Sequence, residues 1–308
     1  MDIDDDVAAR EARSGPAGET GTIAPDRRGT ADARRELDAI DTWALRRAVN
    51  WSVIAGGTAN VIMQLSLRPV AYGVMESKVD EGNLFLDPER RARTTLSYLA
   101  VTMLGTAEER AAIRRATNRS HARVRSEPGA SVGYSAFDPA LQKWVAACLY
   151  RGAEHAYELV HGPLRDGFRE EFLRQGMVFG TTLQLPPEDW PATPEAFESY
   201  WSETVAGLEM DDRTREYLMR IVRLEYLDRT FSERFLRFRT RLVAGHLGPE
   251  FRRLIGLPWD EAEQRAFDRF NRRLARLMRM LPRGAREFPL SRQLRDVRRR
   301  TAAGRPLF

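Results

Sequence analysis

Apolar residues recur at helical spacing along most of the chain, and this periodicity is the feature that most limits its possible folds. From Ala33 onward, Leu37, Ile40 and Trp43 follow one another at steps of three residues, which keeps them on one face of a helix. No run of alternating apolar and polar residues is bounded by turn residues on both sides, as a half-buried strand would be. The pattern predicts an all-α fold with about ten helices in a single large domain.

Helix-start signals divide the central part of the chain into separate helices. Asp87 stands at an N-cap position and Pro88 at the first helical position, where its missing N–H costs nothing. Thr106, with Glu109 three residues later, forms the pattern of a capping box. Asp138 is followed by proline and repeats the first signal. Long helices are therefore predicted to begin after residues 87, 106 and 138.

The two ends of the chain differ in composition from its centre. Residues 1–33 are acidic, rich in Gly, Ala, Thr and Pro, and almost free of large apolar side chains, so we expect this segment to be disordered. Residues 291–308 contain six arginines and are interpreted as a basic, mobile tail. Residues 34–290 are predicted to form the helical domain.

Composition narrows the class of protein. Cys148 is the single cysteine, so a disulfide-stapled secreted fold is excluded and a reducing, cytoplasmic location is expected. The chain starts without a basic segment followed by an apolar run, and no stretch approaches the roughly 20 apolar residues of a membrane span. The 49 basic residues are interspersed with 44 acidic ones, which argues against a general nucleic-acid surface.

Histidines are the residues of this sequence that could bind a metal. Of the four, His161 and His246 stand at predicted helix ends, and His155 and His161 are six residues apart on different helix faces, so no joint metal site is expected. His121 lies late in an amphipathic helix and is either a hydrogen-bonded core residue or a ligand. One histidine is enough for haem, because the porphyrin supplies the other four nitrogens.

Four runs of sequence, taken in order, carry a resemblance to a known family. They are AGGTANVIMQLSLRPVAYGV, then RARTTLSYL with MLGT, then NRSHARVR followed by YSAFDPALQKWV, and finally LGPEFRRLIGLPW. Over about residues 43–290 the chain resembles the rubber oxygenase (latex clearing protein) and MpaB-like oxygenase catalytic-domain family. The resemblance implies a helical fold around a central haem b pocket and an oxygenase activity.

The resemblance also implies roles for particular residues. The histidine of the third run, here His121, is the axial iron ligand in haem-binding members, and Arg91 and Thr95 correspond to residues on the distal side of the haem. A glutamate upstream of the arginine acts as a base in rubber-cleaving members, and Glu76 is the nearest candidate here. Those members have a lysine where this chain has Thr94 and are secreted, so cleavage of polyisoprene is not implied.

Several residues keep two interpretations. Arg91 and Thr95 are either pocket residues or an ordinary surface arginine and a helix-packing threonine. Arg125, one turn after His121, either binds a haem propionate or caps a solvated helix end. Gln64 either makes a helix–helix hydrogen bond or contacts cofactor or substrate.

Three functions remain: a haem oxygenase that acts on an apolar or aromatic substrate with dioxygen or peroxide, a haem sensor or carrier, and a helical scaffold with a nucleic-acid-binding tail.

Overall fold

A computed structural model describes residues 27–77 and 84–308 of the protein. These residues form seventeen α-helical segments, twelve of them at least eight residues long, and within the described ranges the sole β-type pairing is an isolated bridge between Arg125 and Ser135. The predicted all-α fold is confirmed. The helices are α1 Arg27–Asp38, α2 Trp43–Arg46, α3 Trp51–Ala55, α4 Gly57–Leu65, α5 Arg68–Met75, α6 Pro88–Leu104, α7 Ala107–His121, α8 Pro139–His161, α9 Asp166–Gly176, α10 Val178–Thr181, α11 Pro194–Ala206, α12 Asp212–Val222, α13 Glu233–Gly245, α14 Pro249–Ile255, α15 Glu261–Met280, α16 Arg283–Arg286 and α17 Phe288–Ala302.

The chain divides into two compact units, residues 1–34 and residues 35–308. In the first unit, residues 1–26 of the segment expected to be disordered lie outside the described residues. Residues 27–33 are helical and belong to α1, because this stretch contains good helix formers such as Ala and Arg. All the remaining helices belong to the second unit.

The three predicted helix starts are confirmed by their caps. The Asp87 carboxylate accepts a hydrogen bond from the backbone N–H of Arg90 at 2.9 Å. The Thr106 hydroxyl accepts from the N–H of Glu109, and the Glu109 carboxylate accepts from the N–H of Thr106 at 2.9 Å, which completes the capping box. Asp138 caps α8 in the same way. These caps fix where α6, α7 and α8 begin and so set the register of the residues that follow.

The long helix α8 runs through the centre of the second unit. It packs against α3, α4, α10 and α15. Trp144 is fully buried, and Tyr150 is 1% exposed among the rings of Phe172 and Phe197. Burial of large aromatic side chains supplies much of the hydrophobic stabilisation of such a core. The helices that carry the site, α4, α6 and α7, are arranged around this central packing.

The prediction of a mobile tail at residues 291–308 is wrong. Residues 288–302 form α17, which packs along α6. Leu290, Leu294 and Val297 recur at steps of four and three and are buried on one face. The arginines occupy the other faces, and Arg298 pairs with Glu109 of α7, with 2.6 Å between guanidinium Nε and carboxylate Oε1. The many arginines obscured the apolar face of an ordinary amphipathic helix.

Among the residues that the structure describes, no helix is long and apolar enough to cross a membrane.

Candidate functional site

The first turns of α6 place Arg91 and Thr95 on the wall of an internal cavity. The cap at Asp87 starts the helix, and positions four apart share one helix face, so both side chains turn the same way. The cavity that they border has a volume of about 220 Å³. Both residues therefore border one cavity, and their role there stays a prediction.

The last residue of α7, His121, lies on the wall of the same cavity. Its helix is held in place from the other side by Arg110, whose buried guanidinium donates hydrogen bonds to the backbone oxygens of Asp38 and Ile40, each at 2.7 Å. Arg114 forms an ion pair with the Asp38 carboxylate. These contacts fix α7 against the segment between α1 and α2, and so fix where His121 stands.

The rest of the cavity wall is largely apolar. Apolar side chains reach it from several helices and from the last residue of the chain: Val70, Val74, Leu99, Val145, Leu149 and Phe308. A mostly apolar cavity with a few convergent polar groups is the usual form of a site for a small molecule or cofactor.

His121 is held in its neutral form. Burial and, to a smaller extent, the positive charge of nearby Arg91 together lower the pKa of His121 to about 4. Its Nδ1 is enclosed by protein and has no hydrogen-bond partner within the described part of the chain. A histidine that ligates a metal usually donates its second ring N–H to a carbonyl or carboxylate, and no such partner of Nδ1 is found among the described residues.

Arg91 is a partly buried positive charge without an ion-pair partner among the described residues. Burial lowers the pKa of Arg91, and the neighbouring Tyr217 hydroxyl acts in the opposite direction. Because an isolated buried charge is costly, an anionic group in the cavity would stabilise this guanidinium. The cavity thus combines a neutral imidazole, a cation and a threonine hydroxyl with apolar walls.

Gln64 on α4 borders the cavity but has a hydrogen-bond partner in its own helix. Its amide nitrogen donates to the Asn60 side-chain oxygen at 2.7 Å, and the Asn60 amide donates in turn to the backbone oxygen of Cys148 on α8 at 2.6 Å. The helix–helix hydrogen bond expected of Gln64 is thus made by Asn60. Gln64 remains a polar residue on the cavity wall.

The structure does not bring Glu76 or Arg125 to the cavity wall. Glu76 follows α5, accepts a hydrogen bond from Arg213 at 2.8 Å, and lies 3.4 Å from the hydroxyl of Tyr134. It is Tyr134 that borders the cavity. Arg125 is exposed, and its backbone pairs with Ser135. No feature of the sequence near Tyr134 distinguishes it from an ordinary core tyrosine.

A second cavity of about 370 Å³ adjoins the first, and Gln64, Thr95, Leu99 and Leu149 border both. It is lined by two histidines, one within α8 and one just after α13, with His155 Nε2 3.1 Å from His246 Nδ1. Burial lowers the pKa of His155, and it lowers that of His246 to about 3. The two residues are 91 positions apart, so no local pattern could pair them.

Histidine, cysteine and carboxylate side chains do not otherwise gather around a metal position. No group of three or more of them that could hold a metal ion occurs in residues 27–77 and 84–308. His155 and His246 are hydrogen-bonded to each other, and no third histidine, cysteine or carboxylate joins them within the same ranges. A protein-only metal centre finds no support in this part of the chain, whereas a single imidazole suits an ion that already has other ligands.

Comparison with known proteins gives relatives of this chain. It is similar to two proteins named as uncharacterized, Rv2237 of Mycobacterium tuberculosis and Mb2261 of Mycobacterium bovis. Each is 42% identical over 247 residues, which cover 80% of this chain and 97% of the relative. No solved structure matches the chain significantly.

A family match covers most of the helical unit. Residues 43–280 match the family described as "ER-bound oxygenase mpaB/B'/Rubber oxygenase, catalytic domain". The matched range begins at the first residue of α2 and ends at the last residue of α15. It includes Arg91, Thr95 and His121. The chain therefore belongs to the mpaB/rubber oxygenase catalytic-domain family, and its helical unit is an oxygenase catalytic domain.

Proposed function

We propose that this protein is a haem-b-dependent oxygenase that acts on an apolar or aromatic organic substrate with dioxygen or peroxide. His121 is the axial iron ligand in this proposal, and Arg91 and Thr95 lie on the distal side. One observation carries it: a neutral imidazole and a guanidinium, neither with a hydrogen-bond or ion-pair partner in residues 27–77 and 84–308, border the same largely apolar cavity. The family supports oxygenase activity, and the haem and its ligand are our inference.

The residues around the cavity fit the chemical needs of haem b. Iron binds a neutral imidazole, and His121 is neutral because burial holds its pKa near 4. The side chain of His121 makes no hydrogen bond among the described residues, so a bond to iron would give one of its ring nitrogens a partner. The apolar walls suit the faces of a porphyrin, and Arg91 suits its anionic groups or reduced oxygen.

Bound haem b supplies the dioxygen and one-electron chemistry that amino-acid side chains lack. The side chains of this protein supply position, charge and exclusion of water. His121, fixed at the end of α7, holds the cofactor in one orientation. Arg91 would stabilise negative charge that develops on oxygen, and it would need no rearrangement to do so because its guanidinium already borders the cavity. Thr95 lies one turn later on the same face and can donate a hydrogen bond to the same oxygen.

The other predicted site residues have smaller parts. Glu76 lies away from the cavity wall, so its proposed part is to hold the hydroxyl of Tyr134. Gln64 contributes polarity where the two cavities meet. Arg125 is exposed and has no part in the proposal.

Titration of the purified protein with haem tests the proposal. We expect wild-type protein to take up haem with a Soret band, and His121→Ala to lose most of this uptake. The matched control is His161→Ala, which changes an exposed histidine at the end of α8. A colourless wild-type protein, or equal uptake by His121→Ala, would contradict the proposal.

Oxygen consumption separates an oxygenase from a haem carrier. Reduced holoprotein supplied with aromatic or apolar test substrates should consume dioxygen and yield an oxygenated product. Arg91→Met should slow this reaction while retaining haem, because His121 still holds the iron. Haem binding without any product across these substrates would favour a sensor or carrier.

A further inference from the structure

One outer face of the molecule carries exposed apolar side chains on two neighbouring helices. α15 buries Phe267 and Met278. On another side of the same helix, Phe270, Leu277 and Met280 are exposed, Leu277 by 52% and Met280 by 83%. Phe270 and Leu277 are two turns apart and therefore share a face. A large part of the surface of these side chains is therefore not covered by the core of this chain.

The neighbouring helix α13 extends this apolar surface. Phe235 and Phe238 are three residues apart and exposed by 43% and 52%. The Phe238 ring meets the Phe270 ring edge-on, with 6.3 Å between the ring centroids. The two helices thus form one continuous surface, which we call the docking face and define by Phe235, Phe238, Phe270, Leu277 and Met280. Contiguous exposed apolar patches of this kind commonly mark an interaction site.

Arginines without partners flank the docking face. The second half of α15, from Arg269 to Met280, contains five arginines and no acidic residue. Six exposed arginines of the two helices make no ion pair and no side-chain hydrogen bond within the described ranges: Arg234, Arg237, Arg269, Arg272, Arg273 and Arg276. By contrast, Arg241 and Arg265, nearer the acidic start of α15, are paired with Glu263 and Glu261.

Exposed apolar side chains and arginines occur together here, and this combination fits some possible partners better than others. A second copy of the chain would bring like charges together, which costs free energy. A nucleic acid would satisfy the arginines but would leave the exposed Leu277 and Met280 without apolar contacts. An anionic bilayer satisfies both sets, because phosphate groups pair with guanidinium groups and the acyl boundary receives Phe, Leu and Met side chains.

We propose that the docking face binds the surface of an anionic lipid bilayer, with α13 and α15 lying along the headgroup layer. The inference stands on surface groups of the helices and does not depend on haem. Each arginine near an anionic surface contributes roughly a fivefold increase in partitioning, so removal of three should weaken binding by about a hundredfold. Exposed apolar side chains add a part that salt does not screen.

Vesicle sedimentation with the full-length protein tests this. We expect binding to vesicles that contain phosphatidylglycerol, little binding to phosphatidylcholine alone, and partial loss at high salt. The variant Arg269→Gln/Arg273→Gln/Arg276→Gln should lose about two orders of magnitude in partitioning. Glutamine keeps a high helix propensity, and the three arginines contact nothing that the fold needs, so the variant should retain its circular dichroism spectrum.

Two further variants separate specific docking from a general charge effect. Leu277→Gln/Met280→Gln removes apolar contact without altering charge and should reduce the binding that persists at high salt. Arg115→Gln/Arg165→Gln/Arg292→Gln removes the same charge from exposed positions outside α13 and α15 and should bind as wild type does.

Any of the following results would overturn the proposal: no binding of the wild type to anionic vesicles, equal losses in the two arginine variants, no effect of the Leu277 and Met280 changes, or tighter binding to duplex DNA than to vesicles. A dimer that the Leu277 and Met280 changes dissociate would show that a second copy covers this face, and would also contradict it.

Discussion

Acidification is predicted to destabilise the haem-free protein through His121. Burial and the charge of Arg91 lower the pKa of His121 from 6.5 to about 4. In the unfolded chain this histidine binds a proton below pH 6.5, whereas in the folded protein it stays neutral down to about pH 4. The unfolded state therefore binds more protons in this window, and the free energy of unfolding falls as the pH falls through it.

The size of the effect follows from the two pKa values. At about 1.4 kcal/mol per pH unit, the window from 6.5 to about 4 corresponds to ~3 kcal/mol in full. Between pH 7 and pH 5 the same linkage gives about 2 kcal/mol. Two kcal/mol is a large part of the stability of an ordinary domain, which is about 5–15 kcal/mol, so it is measurable.

Urea unfolding at pH 7 and pH 5 measures this loss. Wild-type protein should lose about 2 kcal/mol more on acidification than His121→Leu, in which the titrating group is absent. His246 titrates in both proteins, so its contribution cancels in the difference. Thr117→Val, one turn earlier on α7, is the control and should keep the wild-type pH dependence. The reasoning is refuted if wild type and His121→Leu lose the same free energy of unfolding.

Three other outcomes are expected. Leu294→Ala should lower the free energy of unfolding by about 2–5 kcal/mol, whereas the exposed Arg295→Ala changes it by less than ~0.5 kcal/mol; equal small effects would contradict the packing of α17. Gly245→Ala should cost about 1–3 kcal/mol because the new methyl group would overlap an aromatic ring of α15, while Gly284→Ala, which meets open space, should be neutral in the same unfolding assay. Arg91→Met should raise the pKa of His121, measured by NMR titration, because a nearby positive charge is removed. An unchanged pKa of His121 would show that the two side chains do not interact.

The sequence predicts the local features of the fold well where a short-range signal exists. The caps at Asp87, Thr106 and Asp138 each rest on a hydrogen bond between residues two or three positions apart, and each is found. The C-terminal helix was missed for a physical reason. Leu290, Leu294 and Val297 stand among arginines, and their apolar face becomes evident only when α6 is present to cover it.

Prediction of the site from the sequence is limited in the same way to features with a short-range signal. Arg91 and Thr95 share one helix face, and their spacing predicts that they lie together. That His121 of the next helix meets them follows from helix packing, and only the family resemblance pointed to it. The pairing of His155 with His246, like the position of Tyr134 on the cavity wall, depends on contacts between distant parts of the chain.

Replacing the proposed ligand by a free imidazole tests the central claim most directly. His121→Gly leaves a space at the end of α7, and the variant should fail to retain haem until imidazole is added, when the Soret band of a histidine-bound haem should return. His161→Gly should retain haem with or without imidazole. If His121→Gly keeps its haem and an unchanged spectrum without imidazole, the iron is held by another group and the proposed function is contradicted.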